Sequence, residues 1–317
     1  KITLPKNKNI KKEFGTKTIR NHTDKKLGEY SRATFQACYD VLNNIIVKSI
    51  LGHGSAYEVD QAENIIFSLD SNDLLIFDRG YAAYPLMASL IKQQKHFIIR
   101  CPRNHFTAVQ QMFNNESPTS KTVLIDVSNQ QKKKVKTLGL ADTIKIRLIR
   151  IILPSGEVEV LATSLLDENE FSEIEFKHLY SLRWGVETFF SKIKGRLALE
   201  NFTGRTVESI YQDFWSTIFI SNLETMMTED LEKSMNANKS EGNQKLKINK
   251  AVSFNAIKNM AFEIFFTESD KGKIFDKLIK LFVMNPVIVR ENRQVIRSST
   301  SDTQSLNFQK RMRKHVF

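Results

Sequence analysis

The segment that most restricts the fold is the apolar run "LLIF", residues 74–77, which ends at Asp78 and leads into "YPLMASLIKQQ". A short apolar run without polar alternation is typical of a strand buried on both faces. The segment after it has helical spacing, and Pro85 suits a first helical turn. A buried strand followed directly by a helix predicts an α/β fold. Asp78 would then lie at the C-terminal end of a sheet strand, where α/β sheets usually bind their ligands.

Length and charge limit the class of protein. The chain has 317 residues, enough for two to three domains, and 47 Lys and Arg against 35 Asp and Glu give a formal net charge of +12. This charge favours a polyanionic partner, although ribosomal partners or an anionic membrane surface fit it equally. No apolar run approaches the roughly 18 residues that span a bilayer. Two distant cysteines, Cys38 and Cys101, exclude a four-cysteine zinc site and fit a reducing, intracellular setting.

The first half of the chain reads as a series of short elements. Residues 1–32 are polar and lysine-rich, which predicts an extended, weakly ordered arm that is either a solvated loop or a DNA-facing segment. Residues 33–54 predict two strands around a turn at Asn43 and Asn44. Residues 58–69 have one apolar helical face.

The second half changes pattern twice. Strand-like patterns without helical periodicity run from about residue 96 to 165, with Lys132, Lys133, Lys134 and Lys136 on a loop. After a predicted helix around 206–227, residues 232–250 lose their apolar content and predict a linker. Two further helices are expected around 251–266 and 272–283, before a basic tail.

A predicted helix that starts near Ser172 lies between the strand-like region and the helix around 206–227, and it carries most of the residues that could perform chemistry. Tyr180, Arg183, Glu187 and Lys194 project within roughly 60° of one another on an ideal helix. An adjacent apolar stripe consists of Leu179, Leu182, Val186, Phe190, Ile193 and Leu197. A carboxylate can hold a hard metal ion, and Arg and Lys can hold phosphates, so the combination indicates phosphodiester chemistry. Taken alone, Arg183 and Glu187 would be an ordinary i,i+4 pair, and Asp78 would pair with Arg79 or cap the following helix.

The spacing Tyr-x2-Arg-x3-Glu-x6-Lys resembles the YREK signature of bacterial insertion-sequence transposases of the IS-four type, in the DDE class. The block "LLIFDRGYAAYPLMASLIKQ" resembles the segment that carries the second catalytic aspartate of that family, here Asp78. Two blocks in the right order make the resemblance specific, and it covers nearly the whole chain.

The resemblance implies a ribonuclease-H-like mixed sheet with helices on both faces, a β-rich insertion and C-terminal helices. Residues 1–95 and 166–234 would form the catalytic core, residues 96–165 the insertion, and residues 235–317 a linker and a helical region with the basic tail.

The resemblance also implies an enzyme that cuts and joins DNA strands. Asp78 and Glu187 would be catalytic and would hold Mg²⁺, for which Mn²⁺ could substitute, while Tyr180, Arg183 and Lys194 would bind DNA phosphates. The partners would be double-stranded DNA, as transposon ends and target, and a second copy in a homodimeric synaptic complex. No membrane partner is expected, and the setting would be the bacterial cytoplasm, in association with the nucleoid.

The first catalytic aspartate of the family lies in a short "D-G-S/T" segment just before a stretch like "KITLP", with which this sequence begins. The resemblance therefore predicts an N-terminal truncation that leaves this fragment inactive, with Asp40 the least implausible substitute. A non-catalytic DNA-binding derivative and a structure-selective nuclease on the same fold are the alternative functions.

Overall fold

The structure is a computed structural model that describes residues 1–20, 23–66, 68–114, 118–153, 155–237 and 244–289. Its contacts divide the chain into two units. The first contains Lys1–Ser55 and Thr188–Phe317, and the second contains Ala56–Glu187. None of the helices in the described ranges has the length and apolar character needed to cross a bilayer.

The strands of the described residues are β1 Ile2–Leu4, β2 Thr16–Arg20, β3 Lys26–Asp40, β4 Ile45–His53, β5 Leu74–Phe77, β6 His96–Cys101, β7 Ser120–Asp126, β8 Thr143–Ile152, β9 Val158–Thr163, β10 Leu246–Ile248 and β11 Pro286–Ile288. The helices are α1 Lys8–Phe14, α2 Glu58–Ile66, α3 Tyr84–Lys92, α4 Thr107–Phe113, α5 Lys132–Thr137, α6 Glu173–Ser181, α7 Trp184–Ser191, α8 Val207–Ala237, α9 Lys250–Phe266 and α10 Lys271–Met284. A 3-10 turn spans Arg79–Tyr81 and a π-helical turn spans Lys192–Arg196.

The first unit has an antiparallel sheet in which the long strand β3 pairs with β1, β2 and β4. Aromatic rings fill the space between this sheet and the helices of the unit, with Phe35 and Phe214 edge-to-face at 4.9 Å. Helices α9 and α10 pack with α8 around a smaller apolar cluster. Buried Glu224 of α8 pairs with Lys250 at 3.0 Å and accepts a hydrogen bond from the Ser253 hydroxyl at 2.7 Å.

The second unit has a five-stranded mixed sheet in the order β5-β6-β9-β8-β7. Strands β5 and β6 are parallel, and the other neighbours are antiparallel. Helices α2 to α5 cover one face, and helix α6 covers the other. The predicted α/β class, with a mixed sheet and helices on both faces, is therefore confirmed.

Several elements lie where the sequence pattern predicts them. The turn between β3 and β4 contains Asn43 and Asn44, and helices α2, α3, α9 and α10 match their predicted segments within a few residues. Pro85 lies in the first turn of α3. The backbone N–H of Ser172 donates to the carboxylate of Glu175 at 3.0 Å, as expected for a helix that begins there.

The prediction of an extended arm over residues 1–32 is wrong. This segment forms β1, α1, β2 and the start of β3. Ile2, Leu4, Ile10 and Phe14 are buried, and the lysines between them keep their charges at the surface. Four well-spaced apolar residues are enough to hold short elements on a sheet, although the average hydrophobicity of the segment is low.

Residues 96–165 are not purely strands, because they include helices α4 and α5. The four lysines expected on a loop lie on α5, where buried Val135 anchors a six-residue helix. The predicted boundaries at residues 95 and 165 fall inside the second unit, where β5 and β6 pair. The division into core, insertion and C-terminal region stays a prediction.

The single helix expected from Ser172 to about Leu197 is also wrong. It is divided into α6, α7 and the π-helical turn. At the first junction Arg183 N–H donates to the carbonyl of Tyr180 at 3.1 Å, and Gly185 N–H donates to that of Leu182 at 2.9 Å. These i→i+3 bonds tighten the backbone and rotate the residues after it away from ideal α-helical positions.

The C-terminal predictions need smaller corrections. Helix α8 continues to Ala237, so the expected linker begins later than residue 232. The basic tail from residue 290 onward lies outside the described residues.

Arg147 of β8 is the largest side chain buried in the second unit. It donates to Ser120 Oγ at 2.9 Å and to the carbonyl of Phe171 at 2.6 Å, and its guanidinium lies 5.5 Å from the ring centroid of Phe176. It thereby fastens the segment before α6 to the sheet.

We expect Arg147→Met to lower the free energy of unfolding of the second unit by about 3 kcal/mol, because Ser120 Oγ and the carbonyl of Phe171 would lose their donor. The measurement is urea denaturation followed by Trp184 fluorescence in a Trp215→Phe background, since Trp184 is the tryptophan of that unit. Lys145→Met, on the same strand but exposed, is the control and should change stability by less than about 0.5 kcal/mol. Equal effects of the two changes would contradict the anchoring role of Arg147.

Candidate active site

Asp78 follows β5 and caps the 3-10 turn that comes next. Its Oδ1 accepts the N–H of Gly80 at 2.8 Å, and a Cβ added to Gly80 would lie 3.1 Å from the same oxygen. The glycine therefore lets the turn close tightly on the carboxylate. Asp78 therefore caps the 3-10 turn, as expected if it served only as a helix cap. The hydrogen bond to Gly80 uses Oδ1 and not Oδ2.

Strand pairing places a row of charged residues beside Asp78. Phe77 pairs with Ile99 in the parallel ladder, so Asp78 comes next to Arg100, and Arg100 pairs with Leu161 of β9. Because side chains alternate along strands, Arg100 shares a face with Ile98 and Glu159 shares one with Leu161.

This face is the one that α6 covers. Ile98 and Leu161 pack in one apolar cluster with Phe176 and Tyr180 of that helix. Asp78, Arg100 and Glu159 therefore lie on the same face of the sheet as this apolar cluster. They come at the ends of β5, β6 and β9, towards the end of α6.

Arg100 and Glu159 form an ion pair through Nη1 and Oε1, with the two side chains 25% and 10% exposed. Burial opposes the charge of Arg100, but the hydrogen bond to Glu159 and the neighbouring Tyr180, Glu159 and Asp78 together raise its pKa. Arg100 is therefore a permanent cation beside Asp78.

Tyr180 and Arg183 are both buried, at 5% and 9% exposure. Burial is the largest cause that raises the pKa of Tyr180 to about 12; Arg183 and Arg100 act against it, and Glu159 and Asp78 add to it. Tyr180 is thus a neutral hydroxyl donor at physiological pH. The guanidinium of Arg183 lies 5.8 Å from the ring centroid of Tyr180 and 4.7 Å from that of Trp184.

The expectation that Arg183 would be an exposed cation on an open helix face is wrong in this structure. The i→i+3 junction turns it inward, and its Nη2 donates to Glu187 Oε1 at 3.0 Å. The ordinary i,i+4 pair is therefore present. It differs from a surface pair because the arginine is buried while Glu187 is 37% exposed.

Three buried donors in this neighbourhood have no acceptor. Within the described part of the chain, Arg100 Nε, Tyr180 Oη and Arg183 Nε find no hydrogen-bond partner. An unpaired buried donor costs about 1–3 kcal/mol, so an acceptor from outside the protein that reached these donors would stabilise this part of the second unit.

Lys194 belongs to the first unit, beyond the boundary that falls inside α7. It is exposed, as predicted, and its Nζ donates to the carbonyl of Lys1 at 2.7 Å. Asp78, Tyr180, Arg183 and Glu187 therefore belong to the second unit, and Lys194 belongs to the first.

Sequence reasoning missed Arg100 and Glu159. Each interrupts an apolar run, in "HFIIRC" and "VEVLAT". A charged residue inside a buried strand is the signal that could have identified them. Both also line a pocket of about 370 Å³, together with Arg79 and Arg103.

Comparison with known proteins decides the family. A profile described as "Transposase DDE domain" matches residues 2–223, more than half of the chain. The chain belongs to the DDE-domain transposase family. DDE transposases generally use divalent metal ions.

Two known proteins show weaker similarity to this chain. It is 26% identical over 189 residues to transposase InsG for insertion sequence element IS4 of Escherichia coli (strain K12). That alignment covers 58% of this chain and 41% of InsG. A cryo-EM structure of the piggyBac transposase synaptic complex with hairpin DNA aligns over 87% of this chain and 55% of its own, with 12% identity and a TM-score of 0.44.

The carboxylates of this DDE domain suit a hard cation. Carboxylate oxygens are what Mg²⁺ prefers, and this ion needs one or two of them because it keeps water and phosphate oxygens as its other ligands. Among the described residues, no three His, Cys, Asp or Glu side chains group as a ligand set. Asp78 and Glu187 supply carboxylate oxygens of the type that Mg²⁺ prefers.

We expect Glu187→Gln to lower the free energy of unfolding by about 1–2 kcal/mol, because buried Arg183 loses its charged acceptor. The readout is again urea denaturation with Trp184 fluorescence in the Trp215→Phe background. Glu170→Gln, at an exposed position in the same unit, should change stability by less than about 0.5 kcal/mol. Unchanged or higher stability of Glu187→Gln would show that the ion pair does not support Arg183.

Proposed function

We propose that this chain serves as the catalytic domain of a DNA transposase that cleaves and joins strands at the ends of its element. The observation that carries the proposal is the set of three buried, unpaired donors on Arg100, Tyr180 and Arg183. A phosphodiester supplies the several strong acceptor oxygens that such donors need. Family membership and a formal net charge of +12 support the same substrate class.

Each residue then has a role in binding the strand. Arg100 and Arg183 direct Nε donors at phosphate oxygens, and Tyr180 adds a hydroxyl that stays protonated. Lys194 is an exposed cation of the first unit, and we assign it a phosphate contact of its own. Trp184, half exposed beside Arg183, is placed to contact a base or sugar.

Asp78 and Glu187 are the proposed metal ligands, with Mg²⁺ as the cofactor and Mn²⁺ as a substitute. When bound, such ions activate the attacking water or 3′-hydroxyl and stabilise the leaving oxygen. The substrates would be double-stranded transposon ends and a target, in a complex of two copies of the chain.

A non-catalytic DNA-binding derivative is the second candidate. Its supporting observation is that, among the described residues, no three His, Cys, Asp or Glu side chains group as ligands for a metal ion. Asp40 does not fill the gap, because its Oδ1 accepts the N–H groups of Leu42 and Asn43 and its Oδ2 accepts the amide of Asn43. These bonds build the β3–β4 turn.

We predict that the 317-residue polypeptide binds duplex DNA with an affinity that falls steeply with salt, because bound phosphates release counterions. Arg183→Gln and Lys194→Gln should each reduce the slope of log affinity against log salt by about one. Fluorescence anisotropy with a mixed-sequence duplex in EDTA measures this without metal. Lys177→Gln, an exposed change on α6 with the same loss of charge, is the control and should affect the slope less.

A strand-nicking assay with Mg²⁺ or Mn²⁺ separates the two candidates. We expect binding without cleavage from this polypeptide, because two carboxylates alone hold the metals weakly. Metal-dependent cleavage that Asp78→Asn abolishes would instead show that the chain is catalytic as it stands. Binding without cleavage at any concentration of either metal would favour the non-catalytic derivative, and the absence of DNA binding would contradict both.

A further inference from the structure

The charged row on β5, β6 and β9 has a feature that DNA binding alone does not explain. Arg100 lies between two carboxylates, those of Asp78 and Glu159, and is ion-paired to Glu159. Glu159 itself is 8% exposed. Burying an anion next to a site for a polyanion is unfavourable unless the anion has another task.

We propose that Glu159 is a positioning residue that holds Arg100 away from Asp78. The inference rests on the proposed function, since it assigns Glu159 to the same DNA-binding site. Arg100 is near enough to Asp78 for the two charges to interact. Asp78 is the other carboxylate whose charge acts on Arg100, so without Glu159 it would be the alternative partner for this guanidinium.

Such a capture would damage the site in two ways. The Asp78 carboxylate would be neutralised and occupied where the metal needs an oxygen ligand. The guanidinium would be drawn aside, so that Arg100 Nε, now buried and unpaired, would no longer face the strand. Glu159 prevents both because it occupies the Nη1 side of the guanidinium and leaves Nε available.

Strand pairing explains why position 159 suits this task. Arg100 pairs with Leu161, and Glu159 comes two residues earlier on the same face of β9. Asp78 lies on the opposite side of Arg100, after β5. The sheet thus fixes Arg100 between a carboxylate that binds it and one that it must not bind.

The test uses the sign of a charge effect on DNA binding. Loss of a negative charge should by itself strengthen binding to a polyanion. We expect the isosteric Glu159→Gln to do the opposite: about a fivefold weaker affinity and a salt slope smaller by about one. Glu157→Gln, two residues earlier and exposed, is the matched control and should leave the affinity unchanged or slightly higher.

A double variant identifies the cause. Asp78→Asn combined with Glu159→Gln should restore the affinity to within about twofold of wild type, because Arg100 no longer has a carboxylate to move to. All measurements use the full chain, a mixed-sequence duplex and EDTA, so that no metal contributes. Misfolding caused by Gln at position 159 would persist in the double variant, which separates a positioning role from a structural one.

Two results would overturn the inference while the proposed function stands: Glu159→Gln that behaves like Glu157→Gln, or a double variant that does not recover. A wild-type chain that fails to bind DNA would contradict the proposed function, and the inference would fall with it.

Discussion

The parallel pairing of β5 with β6 is the constraint on which the candidate site depends. It is the parallel ladder of the five-stranded sheet, and its register places the residue after Phe77 beside Arg100. A shift of one residue would turn Arg100 to the other face of the sheet, among the apolar side chains under α3 and α4. The antiparallel ladder between β6 and β9 then determines that Glu159 is the partner of Arg100.

The site is unfavourable for stability in ways that a purely structural region would avoid. Arg100, Glu159, Tyr180 and Arg183 are all largely buried, yet three of their donor atoms have no acceptor. Arg147, in contrast, is even more deeply buried but has backbone, hydroxyl and ring partners. Within one unit, then, Arg147 has partners for its buried guanidinium, whereas Arg100 and Arg183 each keep an Nε without an acceptor, as the proposed phosphate-binding role requires.

Strong local patterns made much of the fold predictable. The apolar run before Asp78, the proline at position 85 and the Ser172 start of α6 depend on neighbours in sequence, and each lies where it was expected. The N-terminal elements were missed because single buried residues such as Phe14 hold them, while composition averages over the lysines between. The division of the long helix was missed because ideal helical angles cannot anticipate the i→i+3 bonds at Arg183.

The arrangement of the candidate site could not be predicted from the sequence. Tyr180, Arg183 and Glu187 were expected on one exposed helix face, but the structure buries Tyr180 and Arg183. Arg100 and Glu159 could not be paired from sequence, because 59 residues separate them and only the register of two ladders joins them. Long-range strand pairing is therefore the information that the local patterns lacked.

The central claim is that Asp78 and Glu187 serve one metal-dependent site, and their separation tests it most directly. Asp78→Cys and Glu187→Cys, in a Cys38→Ser background, can be cross-linked with thiol reagents of graded length and mapped by mass spectrometry. Cys101 should not compete, because burial raises the pKa of its thiol to about 12. Each single-cysteine variant serves as a control. A cross-link with a reagent that spans about 8 Å is the result expected for carboxylates that share a metal pair, and reaction only with reagents longer than roughly 12 Å would contradict the shared site.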